Sequence, residues 1–526
     1  MSIVTRPLKV FELDSIRKFL YTFNSSSGSN NYLYLFASRA TPYANNDTTP
    51  DTLVESVAEA NYRPIHELMF GKLLNNTNFA YLAANYSWTS GTVYTQYDHT
   101  DPNLYTSQFY VLSKYTPNYK VYKCLYNNGS SASTVDPGSY PNGYSSPYLP
   151  FTTSDGYIWK YMFEVPLAYY NDFNFANNYI PFFPPDFATP GDDLSGAKNV
   201  ELASNTSIDV IVLTNSGNNY TAVANGIVQN IDSSNTFVSL QNNASSANNI
   251  YAGSDVYFKL IAGSNTFLRT ITSYIAQNNT IVIDSPVSGV TPLNYTYAIA
   301  PKVTISGDGT GARAFCNTTA GSINTITVLE RGSGYTRADV TITSNSIFGT
   351  GATAYAIIPP PGGHGNNAAT ELGMRTLGIK ATFNGSESNT IPVNVTYRTV
   401  GLLLNPLNKG AIGHAYSNTT FNQTIDLNFT NPVVFNVPDV VTGSTSQNQG
   451  IVVFSNSTLT TLVGDKNFVA GETLTNANGT ISAVINSKQR TENLVDMTGQ
   501  VLYLNNINKI SRTSSNNETI QIALQL

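Results

Sequence analysis

The residues that could carry out acid–base chemistry lie together in one short stretch of the chain. In "YTQYDHTDPNLY" (94–105), Asp98 and Asp101 flank His99 among several tyrosines. Two acids beside aromatic rings are the groups that glycosidases use to cleave sugar chains. Aspartate before proline or asparagine also starts polar turns. The turn is favoured here, because nothing in the sequence shows that the two acids face each other.

The remaining histidines and the two cysteines do not form a recognisable site. His66, His364 and His414 are far apart, and no pair has the spacing of metal ligands on one element. Cys124 and Cys316 match no metal or redox spacing, so both are expected to be buried thiols. The sequence therefore predicts no catalytic, cofactor-binding or metal-binding residue.

A glycine-rich stretch resembles a nucleotide-binding motif only superficially. "GDGTGA" (307–312) has some of the glycines of the dinucleotide fingerprint, but that motif must open a helix whose N-terminus binds the pyrophosphate. Here a strand-like segment follows, and "GTGA" occurs again at 349–352. A repeated structural turn is the better interpretation.

The stretch "DGYIWKYMFEVP" (155–166) predicts a strongly aromatic strand. The alternation of a strand places Tyr157, Trp159, Tyr161 and Phe163 on one face, with Lys160 on the other. Such a row of rings can stack on sugars or bases. It is more often part of a core, because each ring buries about 150–250 Å². We therefore expect these rings to be in the core.

Composition excludes several classes of protein. Only 11% of the 526 residues are charged and the net charge is -6, so no basic nucleic-acid surface is expected. No apolar run approaches the roughly 18 residues of a membrane-spanning helix, and the first residues lack the pattern of a signal peptide. With 41% hydrophobic residues, the chain can build packed cores.

Helical patterns are confined to the first 75 or so residues. Apolar residues from Leu13 to Phe23 recur at helical spacing, and 51–60 and 64–74 are predicted to be short helices, with Pro64 in a first turn. Segment 32–43 and most of the chain after residue 80 have the pattern of strands separated by Asn, Gly and Pro. We predict a mainly β fold with a few N-terminal helices (α+β), built on antiparallel sheets.

We expect one framework interrupted by two β-rich insertions. The framework consists of 1–195, 371–430 and 496–526, and the insertions are 196–370 and 431–495. The first insertion contains an internal repeat, because 207–222 parallels 323–338 and 303–315 parallels 346–358. The copies should pack on each other. In the second insertion, Asn478-Gly479 predicts a hairpin.

Six stretches of the framework, in order, resemble the baseplate wedge subunit of T-even phages, the gene-product-eight family. They are "YLYLFASRATPYANND" (32–47), "YKVYKCLYNN" (119–128), "DGYIWKYMFEVP" (155–166), "YIPFFPPD" (179–186), "YRTVGLLLNPLNKG" (397–410) and "GQVLYLNNINKISR" (499–512). The insertions have no counterpart in that family. Their repeats resemble modules in structural proteins of cyanobacterial myoviruses.

The resemblance implies a non-enzymatic homodimer that bridges neighbouring wedge subunits and helps transmit the baseplate rearrangement at infection. It implies a place in the tail baseplate of the virion. The unpaired cysteines agree with assembly in the host cytoplasm. From the composition and motifs above, we expect no cofactor and no nucleic-acid or membrane partner. The alternative is a carbohydrate-binding tail adhesin or fibre-associated module. It would contact host-surface glycans through the insertions, with Tyr220 and Tyr335 as candidate contacts.

Overall fold

A computed structural model describes residues 5–21, 31–44, 47–54, 56, 58, 62–139, 149–183, 203, 206–344 and 349–525. The fold is mainly β, with antiparallel sheets and few helices, which confirms the predicted class. The chain divides into two compact units. The first contains Met1–Leu82, Asp172–Pro181 and Arg375–Leu526, and the second contains Ala83–Asn171 and Phe182–Met374. The five-segment division stays a prediction.

The α-helices of the described residues are α1 (Arg6–Tyr21), α2 (Arg63–His66), α3 (Leu167–Phe173) and α4 (Ala368–Glu371). The expectation that helices are confined to the first 75 or so residues is therefore wrong for α3 and α4, which are short. The predicted first helix is confirmed as far as Tyr21, and Phe23 lies outside the described residues. The helix predicted over 64–74 is wrong beyond His66, because Phe70–Leu73 forms a strand. Gly71 there allows the ring of Phe421 to pack against the strand backbone. Residues 51–54 are not helical, and much of 55–60 is outside the described residues.

The first unit contains two sheets packed face to face. Its strands are β1 (Leu33–Ser38), β2 (Phe70–Leu73), β3 (Phe79–Ala84), β8 (Tyr179–Phe182), β22 (Thr376–Asn384), β23 (Thr396–Leu404), β24 (Thr420–Asn422), β31 (Gln500–Ser511) and β32 (Asn517–Gln525). One sheet has the order β24-β2-β1-β23-β31 and the other β32-β22-β3-β8. Phe70 and Phe383, from different sheets, meet edge to face at 5.2 Å.

The first unit also contains a closed six-stranded barrel. Its strands are β25 (Ile425–Phe429), β26 (Val440–Gly443), β27 (Gln449–Ser455), β28 (Thr460–Gly464), β29 (Thr473–Asn476) and β30 (Ser482–Arg490). Alternating residues such as Leu427, Val441 and Leu474 fill its interior. β29 and β30 form the hairpin predicted around Asn478-Gly479.

The second unit contains a four-stranded sheet and the strands of the first insertion. The sheet has the order β4-β5-β7-β6, from β4 (Tyr110–Tyr115), β5 (Asn118–Tyr126), β6 (Phe151–Thr152) and β7 (Ile158–Val165). The rings of Tyr157, Trp159 and Tyr161 belong to one buried cluster, which confirms the predicted aromatic core. Phe163 lies outside this cluster, because the register shifts between Tyr122 and Val121 and places it on the other face of β7.

The strands of the first insertion pair only with one another within the described residues. They are β9 (Ile211–Asn218), β10 (Ala224–Ile227), β11 (Asn230–Ile231), β12 (Phe237–Ser239), β13 (Asp255–Leu260), β14 (Thr266–Ile275), β15 (Thr280–Ile283), β16 (Tyr295–Ala300), β17 (Lys302–Gly307), β18 (Thr310–Thr319), β19 (Ser322–Ser333), β20 (Ala338–Thr343) and β21 (Thr350–Ala356). Seven of them form the sheet β10-β16-β13-β14-β15-β12-β11.

The internal repeat is visible in strand pairing. β9 of the first copy pairs with β21 of the second, and β18 of the first pairs with β19 of the second. The copies therefore pack on each other, as the sequence predicts. The tyrosine of each copy is buried, and its hydroxyl accepts a backbone N–H 3.2 Å away, from Ala352 to Tyr220 and from Ala312 to Tyr335. Both tyrosines are therefore structural.

Replacing Gly309 with alanine should destabilise the second unit by about 1–3 kcal/mol, the usual cost of overpacking. The added methyl group would overlap the ring of Tyr335 and the carbonyl oxygen of Ser333. The urea midpoint of unfolding measures the effect. Gly410→Ala is the matched control, because only the amide oxygen of Asn408 lies near its added methyl group. Equal midpoints for the two variants would contradict this account of the repeat.

Candidate functional site

The candidate acids of the 94–105 stretch are both engaged in turns. Asp98 Oδ1 accepts hydrogen bonds from the backbone N–H and the hydroxyl of Thr100, both at 2.8 Å. Its Oδ2 accepts one from the hydroxyl of Tyr355 at 2.5 Å. Asp101 Oδ1 accepts one from the N–H of Asn103 at 2.8 Å. This geometry is that of the polar turn, and it fastens the loop to β21.

The electrostatics of Asp98 also disfavour a role as a general acid. Burial raises the pKa of this carboxyl, but the hydrogen bonds from Tyr355 and Thr100 outweigh it and hold the pKa below its usual value. A glycosidase acid needs a raised pKa, so that it keeps its proton near neutral pH. His99 Nδ1 accepts the backbone N–H of Ile358 at 3.3 Å, which is a further structural contact.

The other residues singled out by the sequence do not come together. His66 is exposed and lies 3.4 Å from Asp465 Oδ1, and His414 is exposed. Cys124 and Cys316 are buried free thiols, as expected. Within the described ranges, no group of three or more His, Cys, Asp or Glu side chains could hold a metal ion.

The structure instead gathers a buried ionic cluster that sequence reasoning missed. Its six members come from strands and connections of the second unit: Lys123, Lys160, Asp209, Arg331, His364 and Glu371. Five of the side chains are almost fully buried, and Arg331 is 28% exposed. Charged side chains are rarely buried unless they are paired. This cluster is therefore the most unusual chemical feature of the second unit.

Two lysines of the cluster face each other across neighbouring strands. Lys123 in β5 is directly paired with Lys160 in β7. Like charges at opposed positions destabilise a sheet unless other groups compensate them. Glu371, at the end of α4, provides compensation, because its Oε2 contacts the Nζ of Lys123 directly.

Glu371 is held in a fixed orientation. Its Oε1 accepts backbone N–H groups from Gly365 at 2.9 Å and from Asn367 at 3.1 Å. The ring of Tyr97 covers the other side of the pair, with its centroid 4.8 Å from the Nζ of Lys123. The ion pair is therefore buried, and the carboxylate of Glu371 is oriented by backbone hydrogen bonds.

His364 lies between the two carboxylates of the cluster. Its Nε2 is 3.8 Å from Asp209 Oδ2, and its Nδ1 is 4.0 Å from Glu371 Oε2. Burial, together with the positive charges of Lys123, Lys160 and Arg331, holds the pKa of His364 well below its usual range. The imidazole is therefore neutral at neutral pH and can give a proton at one nitrogen and take one at the other.

Lys160 gives the cluster a pH dependence that can be measured. Burial, reinforced by Lys123 and Arg331 and opposed by Glu371, lowers the pKa of Lys160 to about 7. The unfolded chain keeps this proton up to about 10.5. Between these pH values the unfolded state binds more protons, so the free energy of unfolding should rise with pH by at most about 1.4 kcal/mol per unit.

A Lys160→Met variant should lack this rise. The melting temperature of the wild type minus that of the variant should therefore increase between about pH 7 and pH 9. Lys259→Met, at an exposed position, serves as the control for the substitution. A difference that stays constant over this range would show that Lys160 is not held with a lowered pKa.

A cavity of about 390 Å³ borders the cluster at Asp209 and Arg331. Thr152 and Ile158 line it from the sheet, and Ile326 lines it from the insertion. Its volume is in the range of small-molecule sites, which are about 300–1,000 Å³. Arg331 contacts Asp209 Oδ1, so the charged end of the cavity is an ion pair. The cluster and cavity resemble a structural polar network rather than a set of groups aimed at a substrate.

Comparison with models of protein families and with curated proteins gave no match. Among the described helices, none is both long and apolar enough to cross a bilayer.

Proposed function

We propose that the chain is a structural subunit of the baseplate wedge of a contractile-tailed phage. It would bridge neighbouring wedge proteins and help transmit the baseplate rearrangement at infection. The proposal rests on the six stretches that resemble the gene-product-eight family. These stretches contain β1, β5, β7, β8, β23 and β31; residues 45–46 and 184–186 lie outside the described residues.

The positions of these strands in the sheets are the observation that carries the proposal. β1, β23 and β31 are adjacent in one sheet, although β1 and β23 are separated by more than 350 residues of sequence. β5 and β7 are adjacent in another sheet. Chance similarities would be scattered over the fold, whereas five of the six stretches form two groups of paired strands, and only β8 lies in a different sheet, beside β3. They therefore belong to frameworks that a distant relative could share.

The chemistry of the chain agrees with a role in assembly. Only 11% of residues are charged, so much of the polar surface consists of amides and hydroxyls. Lasting protein interfaces are poor in charge and rich in aromatic residues. The candidate acids Asp98 and Asp101 are committed to turns. These features favour a protein that acts by binding over one that turns over a substrate.

The proposal predicts a homodimer that binds other wedge subunits. Native mass spectrometry of the purified chain should give the mass of two copies, and co-expression with the neighbouring tail genes should give a stable complex. Interfaces of this kind bury about 2,000–5,000 Å², so both should survive dilution. A monomer that ignores every wedge protein would contradict the proposal.

A second candidate function is glycan binding by a tail adhesin. The burial of Tyr220 and Tyr335 removes them as sugar-stacking residues. A polar groove of about 710 Å³ in the first unit remains, lined by Asn389, Ser417, Asn418 and Thr491 among others. Amides and hydroxyls of this kind hydrogen-bond to sugars. Glycan-array binding that is lost in Asn418→Ala and Thr491→Ala would favour this function, and no binding by the wild type would remove it.

A further inference from the structure

The buried pair of Lys123 and Glu371 has the geometry of a site for covalent cross-linking. The Nζ of Lys123 contacts the carboxylate of Glu371 directly, and both side chains are almost completely buried, at 0% and 2% exposure. The two residues come from elements that are 248 positions apart in sequence. We propose that they join in an intramolecular isopeptide bond, which closes a loop containing the whole first insertion.

The reaction needs no reagent beyond the two side chains. The Nζ of Lys123 attacks Cδ of Glu371, a C–N bond forms and the bond from Cδ to Oε2 breaks. Oε2 leaves as water with two of the three ammonium protons, and the third stays on the amide nitrogen. An ammonium and a carboxylate are therefore converted into an amide and one water, with atoms and charge balanced.

The surroundings supply what this reaction requires. Attack places negative charge on Oε1, which already accepts the N–H groups of Gly365 and Asn367 in the manner of an oxyanion hole. His364 Nδ1 lies 4.0 Å from Oε2, so one bridging water molecule would let the ring pass a proton to the leaving oxygen. On the other side of the ring, Nε2 lies 3.8 Å from Asp209 Oδ2.

Burial favours both the nucleophile and the product. Burial lowers the pKa of Lys123, although the negative charge of Glu371 partly opposes this effect. Less free energy is therefore needed to form the reactive neutral amine. Groups held in contact react with effective molarities that reach about 10⁵–10⁸ M. Excluding water opposes hydrolysis of the amide. The inference does not depend on the proposed function, and failure of either leaves the other standing.

The intact mass of the full-length chain, purified natively and then denatured, tests the proposal. We expect a mass lower than that of the sequence by one water molecule. Tandem mass spectrometry after digestion should find Lys123 and Glu371 in one branched peptide. A chain of full sequence mass with both peptides linear would overturn the proposal, and so would a loss of water located at any other residues.

Substitutions distinguish a covalent cross-link between Lys123 and Glu371 from an ion pair. Lys123→Arg keeps a cation but has no primary amine, so it should recover the full sequence mass. Lys259→Met, at an exposed position outside the cluster, should keep the loss of water. The pair of Lys72 and Glu387, 2.7 Å apart and more exposed, is the internal control and should stay linear. Loss of water that persists in Lys123→Arg would contradict the assignment.

Discussion

Replacing Trp159 with alanine should lower the free energy of unfolding of the second unit by about 3–5 kcal/mol, the usual cost of removing a large buried ring. Trp159 is completely buried, and its ring stacks on Tyr157 with centroids 5.3 Å apart. Tyr94 packs edge to face on it at 5.8 Å. Truncation would leave a large cavity in the aromatic cluster on the face of this sheet. Urea unfolding followed by circular dichroism measures the loss.

Two further variants are compared with Trp159→Ala. Trp159→Phe should lose less than half as much, because it keeps most of the ring volume and removes a buried indole N–H that has no hydrogen-bond partner among the described residues. Phe11→Ala, at a position that is 67% exposed, should change the midpoint little. If Trp159→Ala unfolds at the wild-type midpoint, the aromatic strand is not the core of this sheet.

Replacing Arg512 with alanine should destabilise the first unit by a similar amount, about 3–5 kcal/mol, because it removes a fully buried side chain and leaves the partly buried carboxylate of Glu518 and two backbone carbonyl oxygens without a partner. Arg512 is 1% exposed, and its guanidinium lies 4.6 Å from the ring centroid of Phe70. Its Nε is 3.3 Å from Glu518 Oε2, and it donates hydrogen bonds to the carbonyl oxygens of Gly385 and Pro392. One side chain therefore joins both sheets of the sandwich.

The loss in Arg512→Ala should depend on pH. Burial raises the pKa of Glu518, and the positive charge of Arg512 partly opposes this rise. Removing the arginine should therefore raise the pKa of Glu518 further. A carboxyl whose pKa is raised in the folded state lowers the free energy of unfolding as the pH rises. The loss of stability in Arg512→Ala, relative to the wild type, should therefore be smaller at pH 5 than at pH 8. Melting temperatures at both pH values measure it, with Lys509→Ala as the exposed control. A loss that is equal at both values would contradict the role of Glu518.

Local patterns in the sequence predicted those features that depend on neighbouring residues. Alternation in 157–163 identified a buried aromatic strand, and Asn478-Gly479 identified a hairpin. The repeat of Gly and Tyr predicted that the two copies pack together. Each of these depends on residues close in sequence or on visible self-similarity. Such features can be predicted from one amino-acid sequence.

Features that depend on distant residues were not predicted. The spacing of 64–74 predicted a helix, but pairing of Phe70–Leu73 with β1 and β24 overrides that preference. Alternation puts Lys160 on the mixed face of its strand, and nothing in the local sequence indicates that it is buried. Its surroundings are Lys123, Arg331 and Glu371, which lie 37, 171 and 211 positions away. No local pattern links these residues, so the cluster is visible only in the folded chain.

The central proposal is that the chain works as a stoichiometric part of a phage tail. Quantitative mass spectrometry of purified tailed particles, fractionated into heads, sheaths and baseplates, tests it most directly. We predict that the chain is found in the baseplate fraction at a fixed number of copies, in proportion to the other wedge subunits. Its absence from mature particles, or trace amounts without a fixed ratio to those subunits, would contradict the claim.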